Sequence, residues 1–193
     1  VIVLRCTSAD NGEGVKITID NCGVKNTLTV SADDFLSSGI KKGDISEGDF
    51  EYLAEADKRY GARRAAIRII AAGQCSAQKL YEKLRRRGFP HECAKNASDY
   101  VKENGYIDEE WQIESYLGDL LEKRYIGRRK FTAMLLAKGY SADKIAAVTD
   151  AKYSDEDFAL FRRKFLEKTF GKTKPESREE ALEMKKALYK QGY

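Results

Sequence analysis

The sequence predicts a mainly α protein: tandem three-helix repeats in an elongated array, with a small N-terminal β-hairpin and short-helix region in front. Three observations predict it. First, one anchor recurs three times: Leu80, Leu84, Arg87, Gly88, Phe89, then Phe131, Leu135, Lys138, Gly139, Tyr140, then Met184, Leu188, Gln191, Gly192, Tyr193. The glycines are 51 and 53 residues apart, a period that signals stacked helical repeats. Three unrelated helices ending in a Gly cap would explain any one anchor; the shared apolar positions four and eight residues before each glycine favour the repeat. Second, 34% of the residues are charged, against about 25% in an average globular chain, which suits an extended array with much solvated surface. Third, strand-like runs are confined to the first thirty residues, and helical periodicity rules from residue 49 onward.

The N-terminal region spans 1–48. Val1–Cys6, Val15–Asp20 and Lys25–Val30 are rich in Val, Ile and Thr and are separated by the turn signals Asn11-Gly12-Glu13-Gly14 and Asn21-Cys22-Gly23. Ser31 caps a short helix, Ala32–Ser38, that stops at Gly39, and Lys41-Lys42-Gly43-Asp44 reads as a turn. So small a sheet needs a helix over its apolar face.

Repeat 1 spans 49–105. Its first helix runs from about Phe50 to Ala72, with Leu53, Ala65, Ala66, Ile69 and Ile70 on an apolar stripe. Ser76 caps the second, 77–87; Pro90 opens the third, 90–104, with Ala94, Ala97, Tyr100 and Val101 inward. Repeat 2 spans 106–152. Asp108 caps a helix through Lys123, whose Trp111, Ile113, Tyr116, Leu117, Leu120 and Leu121 read as core. Gly127 starts the next, and Ser141 caps the third, with Ile145 and Val148 inward. Repeat 3 spans 153–193. Ser154 caps a helix bearing Phe158, Phe161, Phe165 and Leu166, and Ser177 caps a last one with Leu182, Met184 and Leu188 inward. It lacks a third helix, so the natural chain is expected to continue beyond Tyr193. No secretory leader is visible, and a few residues are expected to precede Val1.

No Walker loop, GxSxG, HExxH or CxxC pair occurs, so no enzyme, metal or cofactor is expected. Cys6, Cys22, Cys75 and Cys93 read as free thiols of a cytoplasmic protein, and His91 as a surface residue. No segment approaches the ~18 apolar residues of a membrane span, and no membrane partner is expected. Runs such as Asp108-Glu109-Glu110 and Asp155-Glu156-Asp157 lie in first helical turns, where carboxylates complement the helix dipole.

The net charge of +4 conceals an asymmetry: −6 over residues 1–57, +8 over 58–139 and +2 over 140–193. Basic residues cluster in every repeat. Arg63, Arg64 and Arg68 lie on the first helix of repeat 1, Arg85, Arg86 and Arg87 end its second, and Arg128, Arg129 and Lys130 open the equivalent helix of repeat 2. Arg162, Arg163 and Lys164 follow in repeat 3. Such clusters suit a phosphate backbone or an acidic protein groove. Most aromatics sit on apolar stripes, so base-stacking platforms and sequence-specific reading are not expected. The 85–87 and 128–130 sets lie off their helices' apolar stripes, so reversing their charge is expected to spare folding.

The stretch from Arg63 to Val148 resembles the RecX family, regulators of the bacterial recombinase RecA. The resemblance is carried by Ala66-Ile67-Arg68-Ile69-Ile70, Ser76, Leu80, Leu84, Arg87-Gly88-Phe89, Gly105-Tyr106-Ile107-Asp108, Tyr116, Gly127, Lys138-Gly139-Tyr140 and Ile145. Gly39-Ile40-Lys41-Lys42-Gly43-Asp44 looks like the family's β-hairpin region. The pattern departs from the family at Ala72-Gly73-Gln74-Cys75, where arginines usually stand, at Lys79 for a usual Glu, and at Gln112 for a usual Phe. The resemblance implies an elongated, curved array without enzymatic activity. It implies a protein that lodges in the groove of the RecA–single-stranded DNA filament and lowers extension, ATP hydrolysis, strand exchange and co-protease action; a monomer is expected, and the basic clusters predict weak, non-specific affinity for single-stranded DNA itself. The competing reading is an independent helical nucleic-acid-binding module without a recombinase partner.

Overall fold

The computed structural model describes residues 1–193. Contacts divide the chain into two compact units: Val1–Gly73 with Leu80–Tyr106, and Gln74–Lys79 with Ile107–Tyr193.

The first unit opens with strands β1 (Ile2–Ala9), β2 (Gly14–Asn21) and β3 (Val24–Ser31), then helix α1 (Ala32–Ser38) and strand β4 (Gly43–Asp44). The sheet is antiparallel, in the order β3-β2-β1-β4. β1 carries a bulge between Val3 and Arg5, so that Val3 faces Ile19 and Cys6 faces Ile17. The extra residue shifts the side-chain alternation by one and lets Val3 and Cys6 point to the same core. The expected turn at Lys41–Asp44 is corrected: Gly43 and Asp44 pair with Val3 and Ile2. Two paired residues leave no period for a sequence pattern to reveal.

Ser31 caps α1, its hydroxyl accepting from Asp34 N at 3.0 Å, and Gly39 ends it in a left-handed conformation. Helix α2 (Glu47–Ala71) begins three residues before the expected start, at a reciprocal cap between Ser46 and Asp49. Its Leu53 and Ala56 cover Val3, Ile17, Ile19 and Val30. Farther along, α2 packs against α4 (His91–Glu103). Ala62, Ala65 and Ala66 on one helix and Ala94, Ala97 and Val101 on the other are buried there, and such small side chains let two helices approach closely. Between them in sequence lies α3 (Ala77–Arg86), capped by Ser76, whose hydroxyl accepts from Lys79 N at 3.2 Å.

The second unit holds α5 (Glu109–Leu117), α6 (Arg128–Ala137), α7 (Ala142–Lys152), α8 (Asp155–Phe170) and α9 (Arg178–Gln191). α5 continues into a π-helical turn, Gly118–Glu122. Ile113, Leu117, Leu121, Phe131, Leu135 and Ile145 form its core with Tyr153, Phe158 and Phe161. Two expected core residues are corrected. Trp111 is 57% exposed and Leu182 53%. Each stands two positions from a buried residue, Ile113 and Met184 respectively, hence about 200° round the helix. Gln112 turns inward instead and accepts from the Tyr140 hydroxyl at 2.7 Å.

The three anchors share one backbone motif. Phe89, Tyr140 and Tyr193 each donate N–H to the carbonyl five residues earlier, of Leu84, Leu135 and Leu188. Gly88, Gly139 and Gly192 donate to the carbonyl three residues earlier, with φ of 88°, 86° and 96°. This is the Schellman helix stop. The leucine four residues before each glycine is therefore the residue whose carbonyl receives the aromatic's N–H.

Candidate partner-binding surface

Residues Tyr60, Arg64 and Arg68 are spaced by four along α2, and Arg63 and Ile67 lie in the adjacent row, so all five share one helix face. They form one wall of a cleft of about 710 Å³. The other wall is the β1–β2 turn, Asp10–Glu13, and the start of α1, and Tyr100 of α4 closes the lining. The fold thus brings Arg63, Arg64 and Arg68 together.

Each arginine is held differently. Arg64 pairs with Asp10 at 2.9 Å, and the Tyr60 hydroxyl donates to the same carboxylate at 2.9 Å. Burial first, and the Asp10 carboxylate second, push the Tyr60 hydroxyl up to about 12, so it stays a donor at neutral pH. The Arg63 guanidinium lies 4.8 Å from the Tyr100 ring centroid, a cation–π contact. Arg68 donates its Nε to Arg64 O at 3.3 Å and is exposed. Asp10 and Asn11 adopt left-handed φ of 51° and 56°, a conformation uncommon for residues other than glycine.

Arg85, Arg86 and Arg87 are exposed at the end of α3. Arg85 donates Nη1 to Phe89 O at 2.7 Å, a cation on the helix C-terminus. The third set is engaged within its own unit. Arg128 pairs with Asp150 and, at 3.6 Å, with Asp155, and lies 4.6 Å from the Phe158 ring. Arg129 donates to Tyr189 O at 3.2 Å and Tyr193 O at 3.4 Å, above the Tyr189 ring. Lys130 reaches Gln191 Oε1 at 3.3 Å. Given these contacts, charge reversal at 128–130 should loosen the end of α9, contrary to the expectation that both sets can be reversed without harm to folding. Sequence reading did not find Asp10, Glu13, Tyr60, Ile67 and Tyr100 as cleft residues; only the Tyr60–Arg64–Arg68 spacing carried a signal.

No group of three or more His, Cys, Asp or Glu side chains is placed to hold a metal ion. No helix is long and apolar enough to cross a membrane. The four cysteines form no disulfide.

No family model matches the chain. The regulatory protein RecX of Caldanaerobacter subterraneus subsp. tengcongensis is 24% identical over 194 residues, covering all of this chain and 94% of that protein. The chain is thus similar to RecX regulatory proteins along its whole length. A second RecX relative, from Clostridium perfringens strain 13, is 25% identical over 144 residues, covering 72% of this chain and 67% of its own length. A crystal structure of regulatory protein RecX superposes with a TM-score of 0.78 at 17% identity, covering 100% of this chain and 94% of that one. RecX from Lactobacillus salivarius gives 0.60 at 16% identity over 72% of this chain and 90% of its own. The helical array behind an N-terminal β region is thus the fold seen in these RecX structures.

Proposed function

We propose that this protein binds the RecA–single-stranded DNA filament in the cytoplasm and inhibits it, limiting filament extension, ATP hydrolysis, strand exchange and co-protease activity in DNA repair, homologous recombination and the SOS response. Similarity to a RecX regulatory protein along the whole chain supports the regulator of RecA as the coarse reading. The observation that carries the finer one is the arginine-walled cleft of the first unit. Its lining mixes guanidinium groups with Ile67 and Tyr100, the composition of a protein-docking surface and not of a plain polyanion track. Arg85, Arg86 and Arg87 add exposed positive charge in the same unit.

The test is ATP hydrolysis by RecA on single-stranded DNA with the purified monomer titrated in. The rate should fall with added protein, and a variant with Glu at 86 and 87, which leaves the Arg85 bond to Phe89 O in place, should inhibit far less with little change in melting temperature, since exposed substitutions move stability by only about 0.5 kcal/mol. An unchanged rate with wild type would sink the proposal and leave the independent nucleic-acid-binding module. Affinity for bare single-stranded DNA should be weak and fall with salt, with a log–log slope of about −0.7 for each phosphate contact; a salt-independent affinity would contradict that contribution.

A further inference from the structure

We infer that the cleft between α2 and the β1–β2 turn docks a protein segment that carries charges of both signs around an apolar side chain, and that it does not follow a phosphodiester backbone. The inference rests on the filament-binding reading above and specifies the chemistry of the partner at that site.

The two walls are of opposite charge. On α2, neither Arg63 nor Arg68 has a carboxylate within ion-pair distance, whereas Arg64 has Asp10. Across the cleft, Glu13 and Asp33 are exposed, and no cation pairs with either. Ile67, 39% exposed, lies on the basic wall in the row of Arg63, and the half-buried Tyr100 lines the same cleft. A volume of about 710 Å³ is within the usual range for a binding pocket. Both walls line the same cleft, so both act on whatever enters. A polyanion gains from α2 but is repelled by Glu13 and Asp33. A segment with an acidic side chain toward α2, a basic one toward the turn and an apolar one over Ile67 gains from all three.

Asp10 is the internal example of that recognition. It already seats a carboxylate on Arg64 and the Tyr60 hydroxyl, each at 2.9 Å. The basic wall is therefore shaped to take carboxylate oxygens, and Arg63 and Arg68 extend it beyond the position Asp10 fills.

The test is binding of the full chain to RecA filament on single-stranded DNA, with a bare oligothymidylate as the second arm. The variants are Arg68→Glu for the basic wall and the pair Glu13→Lys with Asp33→Lys for the acidic wall, each checked for an unchanged melting temperature. Arg68→Gln replaces Arg68→Glu if the latter melts early. Each reversal should weaken filament binding at least tenfold. If the acidic-wall pair instead strengthens binding to both filament and bare oligonucleotide, the cleft is a phosphate site and the inference is overturned. If neither reversal changes filament binding while wild type still inhibits ATP hydrolysis, the cleft is not the docking site and the functional reading stands. If wild type binds no filament, the functional reading fails and takes the inference with it.

Discussion

Replacing Phe131 by alanine should destabilise the second unit by about 4 kcal/mol, the middle of the range for deleting a buried aromatic ring. Phe131 is fully buried, and its neighbours Leu135 and Ile145 are at most 1% exposed. They belong to α6 and α7, whose packing holds them in place, so the space left by the ring cannot collapse cheaply. Each kcal/mol shifts the melting point of a domain near a hundred residues by roughly 4–8 °C, so the unit should melt on the order of 20 °C lower. Hydrogen exchange resolved by residue should place the loss in 107–193. A loss below about 1 kcal/mol would mean that the core closes over the gap, contrary to its tight packing.

Gly127→Ala should destabilise the same unit by about 2 kcal/mol, an overpacking cost. A methyl group at Gly127 would fall on the backbone carbonyl of Gly192, and one at Gly192 on the backbone of Lys130. Neither obstacle is a flexible side-chain end, so the end of α9 must move. That end is otherwise held by Gly127 N to Gln191 O at 2.9 Å, by Gln191 Nε2 to Arg124 O at 2.9 Å, and by the Tyr193 hydroxyl to Tyr125 O at 2.9 Å. In the variant, the backbone amide at position 127 should exchange much faster than the Gly127 amide of wild type. Gly118→Ala is the control: the nearest atom to its methyl is the Glu122 carboxylate at 4.0 Å, and stability should be kept or slightly raised. Equal effects from the two substitutions would remove the close-approach explanation.

What the sequence made legible was local. Ser31, Ser76, Asp108, Ser154 and Ser177 cap helices as expected, because a cap is written within four residues of itself. The Gly–aromatic anchors were visible for the same reason. The motif also explains a helix end outside the repeat pattern: at the end of α4, Tyr106 N donates to Val101 O and Gly105 N to Lys102 O. Errors came from phase and distance. Trp111 and Leu182 are apolar, yet their helices are oriented by Ile113 and Met184, and apolarity alone does not give that phase. The arginines of the cleft were visible as a cluster. The wall facing them was not, because Asp10 and Tyr60 are fifty residues apart in sequence and nothing local links them. Arg128–Lys130 read as a basic set free to meet a partner because Tyr189, Gln191 and Tyr193, which engage two of them, lie some sixty residues away.

The recurring helix stop also governs where the chain goes next. A left-handed residue followed by an aromatic pinned to the last turn fixes the exit direction of the backbone, whatever the body of the helix contains. Leu80, Phe131 and Met184 differ at one equivalent position, and Arg87, Lys138 and Gln191 at another, yet the three exits are bonded alike. Path information is thereby stored at the corners and not along the edges. Such a polypeptide can exchange most residues on its solvated faces without being rerouted, which accords with a shared fold at 17% identity. Its surfaces are then left free to diverge toward whatever each lineage's target presents.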